Sequence, residues 1–218
     1  MYKIDLHTHS TESPDGGISE DQYTQAIDDE LLDCIAITDH NSISLARRMH
    51  KNLGDKIIVG EEISSLQGDI VGLFLTDAVR PGMPLLETAQ AIKAQGGIVY
   101  IPHPFETIRK GIKKVDLDTI AELVDIVETY NGRAMAQNKG PQAAVWAKLQ
   151  QKPPAASSDA HGIKGLGTAF TSVKEIPSAN NIVELLSFGH LNMHRPPLRT
   201  LLYPKIHKIK NKFVRKTK

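Results

Sequence analysis

Two histidines one residue apart open the chemistry of this chain. Residues 2–6 read as a β-strand running straight into His7-Thr8-His9. Strand side chains alternate between faces, so His7 and His9 project to the same side. Two neutral imidazoles on one face at a strand end can grip one metal ion. A lone His-x-His is a common pattern, so the weight falls on the later parts of the chain. Further along come Thr38-Asp39-His40-Asn41, Gly60-Glu61-Glu62, Pro102-His103-Pro104 and Ser158-Asp159-Ala160-His161. Each group stands just past an apolar run of strand length.

The elements that must position these residues show as an alternation. Strands are expected over 2–6, 34–38, 56–59, 69–75, 97–101, 124–129 and 154–157. Helices are expected over 20–30, 44–52, 84–95, 115–123 and 134–149. Ser19 has the character of a helix N-cap, and Tyr23, Ala26 and Ile27 share the inner face of the helix after it. Repeated strand–helix alternation argues for a parallel sheet closed into a barrel or wound open. In a β/α barrel the C-terminal strand ends converge on one rim, where active sites lie. His7, His9, His40, Glu62, His103, Asp159 and His161 all fall just after strands. Asp15, in Ser13-Pro14-Asp15-Gly16-Gly17, reads from its neighbours as a turn residue.

Composition bounds the rest. The chain has 218 residues, 40% of them hydrophobic, which suits one domain with a sizeable core. Its one cysteine, Cys34, excludes an internal disulfide and sits in Cys34-Ile35-Ala36-Ile37, the setting of a core thiol. There is no N-terminal signal sequence, and charges interrupt every apolar run, so a cytoplasmic soluble protein without a transmembrane segment is expected. The net charge of +1 hides an asymmetry. Residues 195–218 carry nine Lys or Arg and no acid, which leaves the body, 1–194, with 17 basic and 25 acidic residues. The tail is therefore either a solvated segment packed on an acidic body or an arm for nucleic acid or an anionic surface. After Pro204, residues 205–218 place Ile206, Ile209 and Phe213 on one helical stripe with Lys205, Lys208, Lys212 and Arg215 around it, and docking on the barrel is the expectation.

As a spaced set, the histidine and acid motifs resemble those of the PHP family, the polymerase and histidinol phosphatase superfamily. The resemblance runs in order from residue 2 to about residue 170 and leaves out the tail. It implies a distorted seven-stranded, TIM-like β/α barrel with two or three divalent ions (Zn, Mn or Fe) at its rim, hydrolysing phosphate esters. Carried over, it puts His7, His9, Glu62 and Asp159 on one metal and Asp15, His40 and His161 on another. Glu62 would bridge to a middle ion also bound by His103. Gly60-x-Glu62 matches the family spacing, which leaves Glu61 as a supporting or rim residue. Asp39 is expected to orient His40, since ligand imidazoles usually donate their other N–H to a carboxylate or carbonyl. One departure stands out. Many family members have a histidine on the strand after the Glu; the position most like it here is Val71, which cannot ligate.

The chemistry follows from such a ligand set. A metal-bound water can attack phosphorus near neutral pH, and the metals neutralise phosphoryl charge, so no side-chain nucleophile is required. Arg109, Arg133 and Asn131 are expected to hold the phosphate, although either arginine would also fit as a surface residue at a helix start. Two rival functions are an amidohydrolase-type C–N hydrolase and a non-catalytic metal-binding module whose tail binds nucleic acid or membrane. The acid at Glu62 and the Asp-Ala-His of the last motif count against the first, and the intact ligand set against the second. A small phosphorylated metabolite or nucleotide is the expected substrate.

Overall fold

Short runs rich in Ile and Val become the staves of a sheet that curls almost shut. The computed structural model describes residues 1–135 and 137–214, with 212–214 as backbone alone. Its strands are β1 (Tyr2–Thr8), β2 (Cys34–Ile37), β3 (Ile57–Ser65), β4 (Gly68–Leu73), β5 (Ile98–Ile101), β6 (Ile126–Asn131), β7 (Pro154–Ser157), β8 (Ala169–Val173) and β9 (His190–Met193). The helices are α1 (Glu20–Asp28), α2 (Ser44–Leu53), α3 (Leu85–Ala94), α4 (Lys114–Thr119), α5 (Gly140–Leu149), α6 (Ile182–Ser187) and α7 (Tyr203–Val214). Sheet order is β7-β6-β5-β4-β3-β2-β1-β8-β9. Ile4, Leu6, Ala36, Ile58, Val71 and Tyr100 belong to one apolar cluster, inside the curl. Ile35, Ile37, Val99 and Val127 belong to another, between the strands and α1, α2, α3 and α5.

Nine strands, not seven, make this sheet among the described residues. The two extra ones, β8 and β9, come after the last histidine motif. β8 runs antiparallel to β1, pairing Tyr2 with Val173 and Ile4 with Thr171. The barrel seam is closed in two ways. Near the histidines, the His9 N–H donates to the Ala160 carbonyl at 2.8 Å. Lower down, the Thr171 hydroxyl accepts from the Ala156 N–H at 3.0 Å and faces the Ala156 carbonyl at 3.3 Å. The sheet is also mixed rather than parallel, since β4 runs antiparallel to both β3 and β5. Only Leu66 and Gln67 separate β3 from β4, whereas a parallel crossover needs a dozen residues or more. Gly68 supports this tight reversal with φ of 141°.

Two irregularities aim side chains at the rim. The β1–β2 register slips between Asp5 and Thr8. Strict alternation would put His7 and His9 opposite to the buried Ile4 and Leu6. The extra residue lets Leu6 and His7 both face inward, and Thr8 turns out, where it accepts from the Tyr23 hydroxyl of α1 at 2.9 Å. A second slip, between Glu128 and Tyr130 of β6, brings both Glu128 and Asn131 inward although they are three apart.

Other expectations shift at their ends. α5 begins at Gly140, not 134, because Pro141 has no N–H to donate and fits the first helical turn. α1 has the expected Ser19 cap, completed by a reciprocal bond from Gln22. Cys34 is buried, and burial pushes its thiol up to about 12, as befits an inert core group. Pro204 lies in the first turn of α7, where its missing N–H leaves no helical bond unmade. The apolar stripe expected to dock does not do so through its isoleucines. Ile206 and Ile209 are 51% and 60% exposed. Instead the Asn211 amide donates to the carbonyls of Ser13, Pro14 and Gly16, and the His207 ring lies against Gly17. The side chains of Lys212 and Phe213, and the whole of residues 215–218 including Arg215, lie outside the described residues.

Thr171 supplies a test of the seam. Thr171→Val removes the acceptor from a buried Ala156 N–H and is expected to cost about 1–3 kcal/mol in urea unfolding. Thr171→Ser, which keeps the hydroxyl, should cost clearly less; equal losses would show that the bridge is not what holds the seam.

Candidate metal centre

The strand ends bring eight side chains of metal-binding type to one rim. Three groups have donor atoms mutually within 4.8 Å: His9, Asp15, His40 and His161; His7, Glu62 and His103; and His7, His9 and Asp159. The groups overlap, so they form one connected centre. Nε2 of His9 lies 3.2 Å from Nε2 of His7, 3.2 Å from Oε2 of Glu62 and 3.5 Å from Oδ1 of Asp159. Asp15 comes from the loop after β1 and reaches His40 Nε2 at 3.7 Å and His161 Nε2 at 3.6 Å. Glu62 also meets His40 at 3.2 Å and, through Oε1, His103 at 3.1 Å. The expected residues thus lie together, with His9 added to the Asp15 set, and with Glu62 grouped with His7 and His103 rather than with His9 and Asp159. Imidazole nitrogens and carboxylate oxygens facing a common point suit divalent Zn, Mn or Fe. The buried Nδ1 of His103, which has no partner, adds an unserved donor to that set.

The backbone is bent to make this possible. His103, Asp159 and Asn41 have φ of 30°, 51° and 54°, left-handed values that non-glycine residues seldom adopt. Such conformations cost roughly 1–3 kcal/mol each and cluster at functional sites. Gly16 lets the Asp15 loop fold back on the histidines, because a Cβ there would sit 2.1 Å from the Ser10 carbonyl oxygen.

Beneath the donors lies a residue the sequence motifs do not reveal. Glu128 is buried and accepts from four sides: His7 Nδ1 at 3.1 Å, the Tyr100 hydroxyl at 2.9 Å, the His103 N–H at 2.6 Å and the Asn131 amide at 2.8 Å. It fixes the ring of His7 from behind, the role ligand histidines usually assign to a carboxylate. Its signal was an acid inside the apolar run Ile126-Val127-Glu128-Thr129. Asp5 is a second such acid. It accepts from the Ser158 N–H at 3.1 Å across the seam, and burial raises its pKa to about 7.

Two supporting acids differ from expectation. Asp39 does not hold His40; its carboxylate takes the N–H and hydroxyl of Ser10, tying the β1 loop to β2. Glu61 points to the other side of β3 from Glu62, as alternation requires, and accepts from the Val79 N–H at 2.8 Å. It anchors a loop away from the centre.

The two arginines and Asn131 also separate. Arg109 is fully engaged: Nε and Nη2 donate to Glu106, and Nη1 donates to Asn131 and to Asp159 Oδ2, both at 2.6 Å. Asn131 is likewise occupied by Arg109, Glu128 and Asp159. Both thus hold Asp159, and Arg109 also lines the open cavity, 14% exposed against 16% for Arg133. Arg133 is less committed. Its Nη1 meets Asp159 and His161 at 3.3 and 3.2 Å, while its buried Nε has no partner. The centre opens into a cavity of about 420 Å³ whose lining includes Arg133, Lys110 and, from α7, Lys208.

Charge in this dry setting is strongly perturbed. Burial opposes protonation of His9, yet Asp159 and Glu62 outweigh it and lift its pKa to about 9. Burial would raise the carboxyl of Glu62, but His40 and His7 hold it well below the usual range. His161, buried beside His9 and Arg133, falls to about 3. The same carboxylates raise His7 and His40, so the metal-free centre favours protons on His7, His9 and His40 and a neutral His161. A metal must displace the His9 proton, so uptake is expected to release protons and to tighten as pH rises toward about 9. Calorimetric titration with Zn2+ in buffers of differing ionisation enthalpy reads the release directly; uptake with no proton released would contradict it.

Comparison with known proteins agrees with this architecture. Residues 140–191 match a family model described as PHP-associated. An uncharacterized protein of Methanocaldococcus jannaschii is 30% identical over 183 residues, which is 80% of this chain and 71% of the relative. A two-domain protein from Bacteroides vulgatus, described as containing a PHP-like metal-dependent phosphoesterase, superposes with a TM-score of 0.68 at 22% identity, over 95% of this chain and 69% of that one. A lesion-specific endonuclease from Pyrococcus furiosus superposes with a TM-score of 0.63 at 14% identity, over 87% of this chain and 57% of that one. At such identities the two structures speak for the fold, and with the family match and the archaeal relative they establish that this chain belongs to the PHP family.

Proposed function

We propose that this chain is a metal-dependent phosphoesterase acting on a phosphate ester of a small metabolite or nucleotide. The observation that carries this reading is three overlapping donor groups on the floor of a cavity walled by cations. Two or three divalent ions held there would supply an activated water and neutralise charge on the phosphoryl group. His7, His9, Glu62 and Asp159 would hold one, Asp15, His40 and His161 a second, and Glu62 with His103 the middle position. Arg109 and Asn131 position Asp159, and Glu128 positions His7. Arg133 lines the cavity beside the donors, where its guanidinium would meet the substrate phosphate. The Ser10 hydroxyl is bonded to Asp39 and that of Ser157 to Tyr100, which fits hydrolysis without a side-chain nucleophile. Lys110 and Lys208 extend the cationic wall outward, which favours a substrate with charge beyond the scissile phosphate, as in a nucleotide or the end of a nucleic acid strand.

Chelation is the first test. Dialysis against EDTA should abolish hydrolysis of p-nitrophenyl phosphate, bis-p-nitrophenyl phosphate or nucleotides, and Mn2+ or Zn2+ should restore it. Activity that survives chelation, or that appears only on amides, would overturn the reading.

The arginines should fail differently. Arg133→Ala should keep its metal and raise KM about 10- to 100-fold, the scale of hydrogen bonds to a charged group, roughly 1.5–3 kcal/mol. Arg109→Ala should instead lose metal and lower kcat, since Asp159 loses its clamp. Parallel metal analysis and steady-state kinetics separate the two, and identical behaviour would defeat the division of roles.

A further inference from the structure

The last helix sits on the barrel the wrong way round. An amphipathic helix usually turns its apolar stripe to the core and its polar face to water. In α7 the partly buried side chains are Tyr203, His207 and Asn211, which rest on Gly162, on Gly17 and on the carbonyls of the Asp15 loop. Leu202, Ile206 and Ile209, spaced by four and three residues, are 55%, 51% and 60% exposed. With about 3.6 residues per turn they fall on the side of the helix away from Asn211. Leu198, one turn earlier, is exposed as well. Single exposed apolar residues are ordinary, but a continuous stripe of them marks a contact surface.

The charges beside the stripe say what covers it. Helical geometry sets Lys205 along one border and Lys210 along the other, both exposed, with exposed Arg199 before them. No acid occurs anywhere in residues 195–218. Two copies meeting face to face would set these cations against their own kind, which is unfavourable. A nucleic acid strand would take the lysines and leave the aliphatic stripe in water. An anionic bilayer satisfies both, with phosphate headgroups for the cations and the acyl boundary for the aliphatic side chains. We propose that α7 is an interfacial helix that seats this chain on an anionic phospholipid surface through Leu202, Ile206 and Ile209, bordered by Lys205 and Lys210. Its 12 residues lie on the bilayer and are too few to cross it. Residues 1–194 carry 25 acids against 17 bases, so the same surface repels the body and α7 fixes which side approaches. Because Lys208 of α7 also lines the cavity, the mouth of the metal centre then opens beside the headgroups. Neither the stripe nor its lysines depend on what the centre hydrolyses.

The test is co-sedimentation of the full chain with vesicles of phosphatidylcholine alone and of phosphatidylcholine containing about one-third phosphatidylglycerol. Binding to the mixed vesicles should be at least tenfold tighter and should weaken with added salt. The triple variant Leu202→Ser, Ile206→Ser, Ile209→Ser should lose at least tenfold of that binding while keeping its melting temperature, its metal content and its hydrolysis of a soluble ester. Ile209→Ser alone, read by a smaller loss, is the second variant should the triple one not fold. Lys205→Gln and Lys210→Gln should each cost about fivefold at low salt. No binding to the mixed vesicles, or binding that the serine substitutions leave intact, would overturn the proposal. So would a dimer in light scattering that the serine variant turns to monomer without vesicle binding, since a second copy would then cover the stripe. Binding of single-stranded DNA that ignores the serine substitutions, again without vesicle binding, would assign the lysines to nucleic acid instead. Vesicle binding without hydrolysis of any phosphate ester would sink the phosphoesterase reading and leave the interfacial helix standing.

Discussion

The Glu62 carboxylate touches four imidazoles, those of His7, His9, His40 and His103, at 3.1 to 3.5 Å. Apart from His40, these groups are almost wholly buried. Buried charges are costly unless paired, and this many donors around one carboxylate cannot all be satisfied by protons. The carboxylates draw a proton onto His9, while His161, close by, is driven neutral. With donor atoms of three overlapping groups converging on one cavity, such opposed shifts accompany an arrangement suited to cations. The supports under the rim make sense as means of holding this unfavourable arrangement still.

Those supports are local departures from regular structure. The register slips in β1 and β6 turn His7, Glu128 and Asn131 into the barrel, where strict alternation would not place all of them. Left-handed backbone at Asn41, His103 and Asp159 aims the loops after β2, β5 and β7. The strain is borne by a frame closed with few bonds at the seam: the His9–Ala160 backbone contact, Asp5 on Ser158, and the Thr171 hydroxyl on Ala156. Buried polar groups satisfied in this way give the barrel one register, since a slip would leave each of them unpaired.

Above the donors, cations divide by how completely they are engaged. Arg109 spends its donors on Glu106, Asn131 and Asp159, so it is part of the frame. Arg133 retains a free buried Nε, and Lys110 and Lys208 stand further out on the same wall. The basic C-terminal segment is thereby tied to the loop that carries Asp15: Asn211 and His207 rest on residues 13–17, and Lys208 lines the cavity. The exposed Ile206 and Ile209 face away from that contact.

The local chemistry was legible in the sequence because each donor comes just after a strand and carries its own motif. His7, His9, His40, Glu62, His103, Asp159 and His161 could be read that way, and Asp15 through the family resemblance. Helix starts at Ser19 and the inert Cys34 were equally local matters. What only the tertiary structure decided depends on direction, register and partners distant in the chain. The antiparallel run of β4 set Val71 within the apolar interior. Two slipped registers turned His7 and Asn131 inward, and alternation alone carries no sign of a bulge. The late strands β8 and β9 gain their reason only from the open edge of β1. Arg109 and Arg133 look alike in sequence; the Asp159 that both meet, and the Asn131 that Arg109 adds to it, come from elements 22 to 50 residues away. Short-range pattern says what a residue can do, and the packing of distant segments determines what it is left free to do.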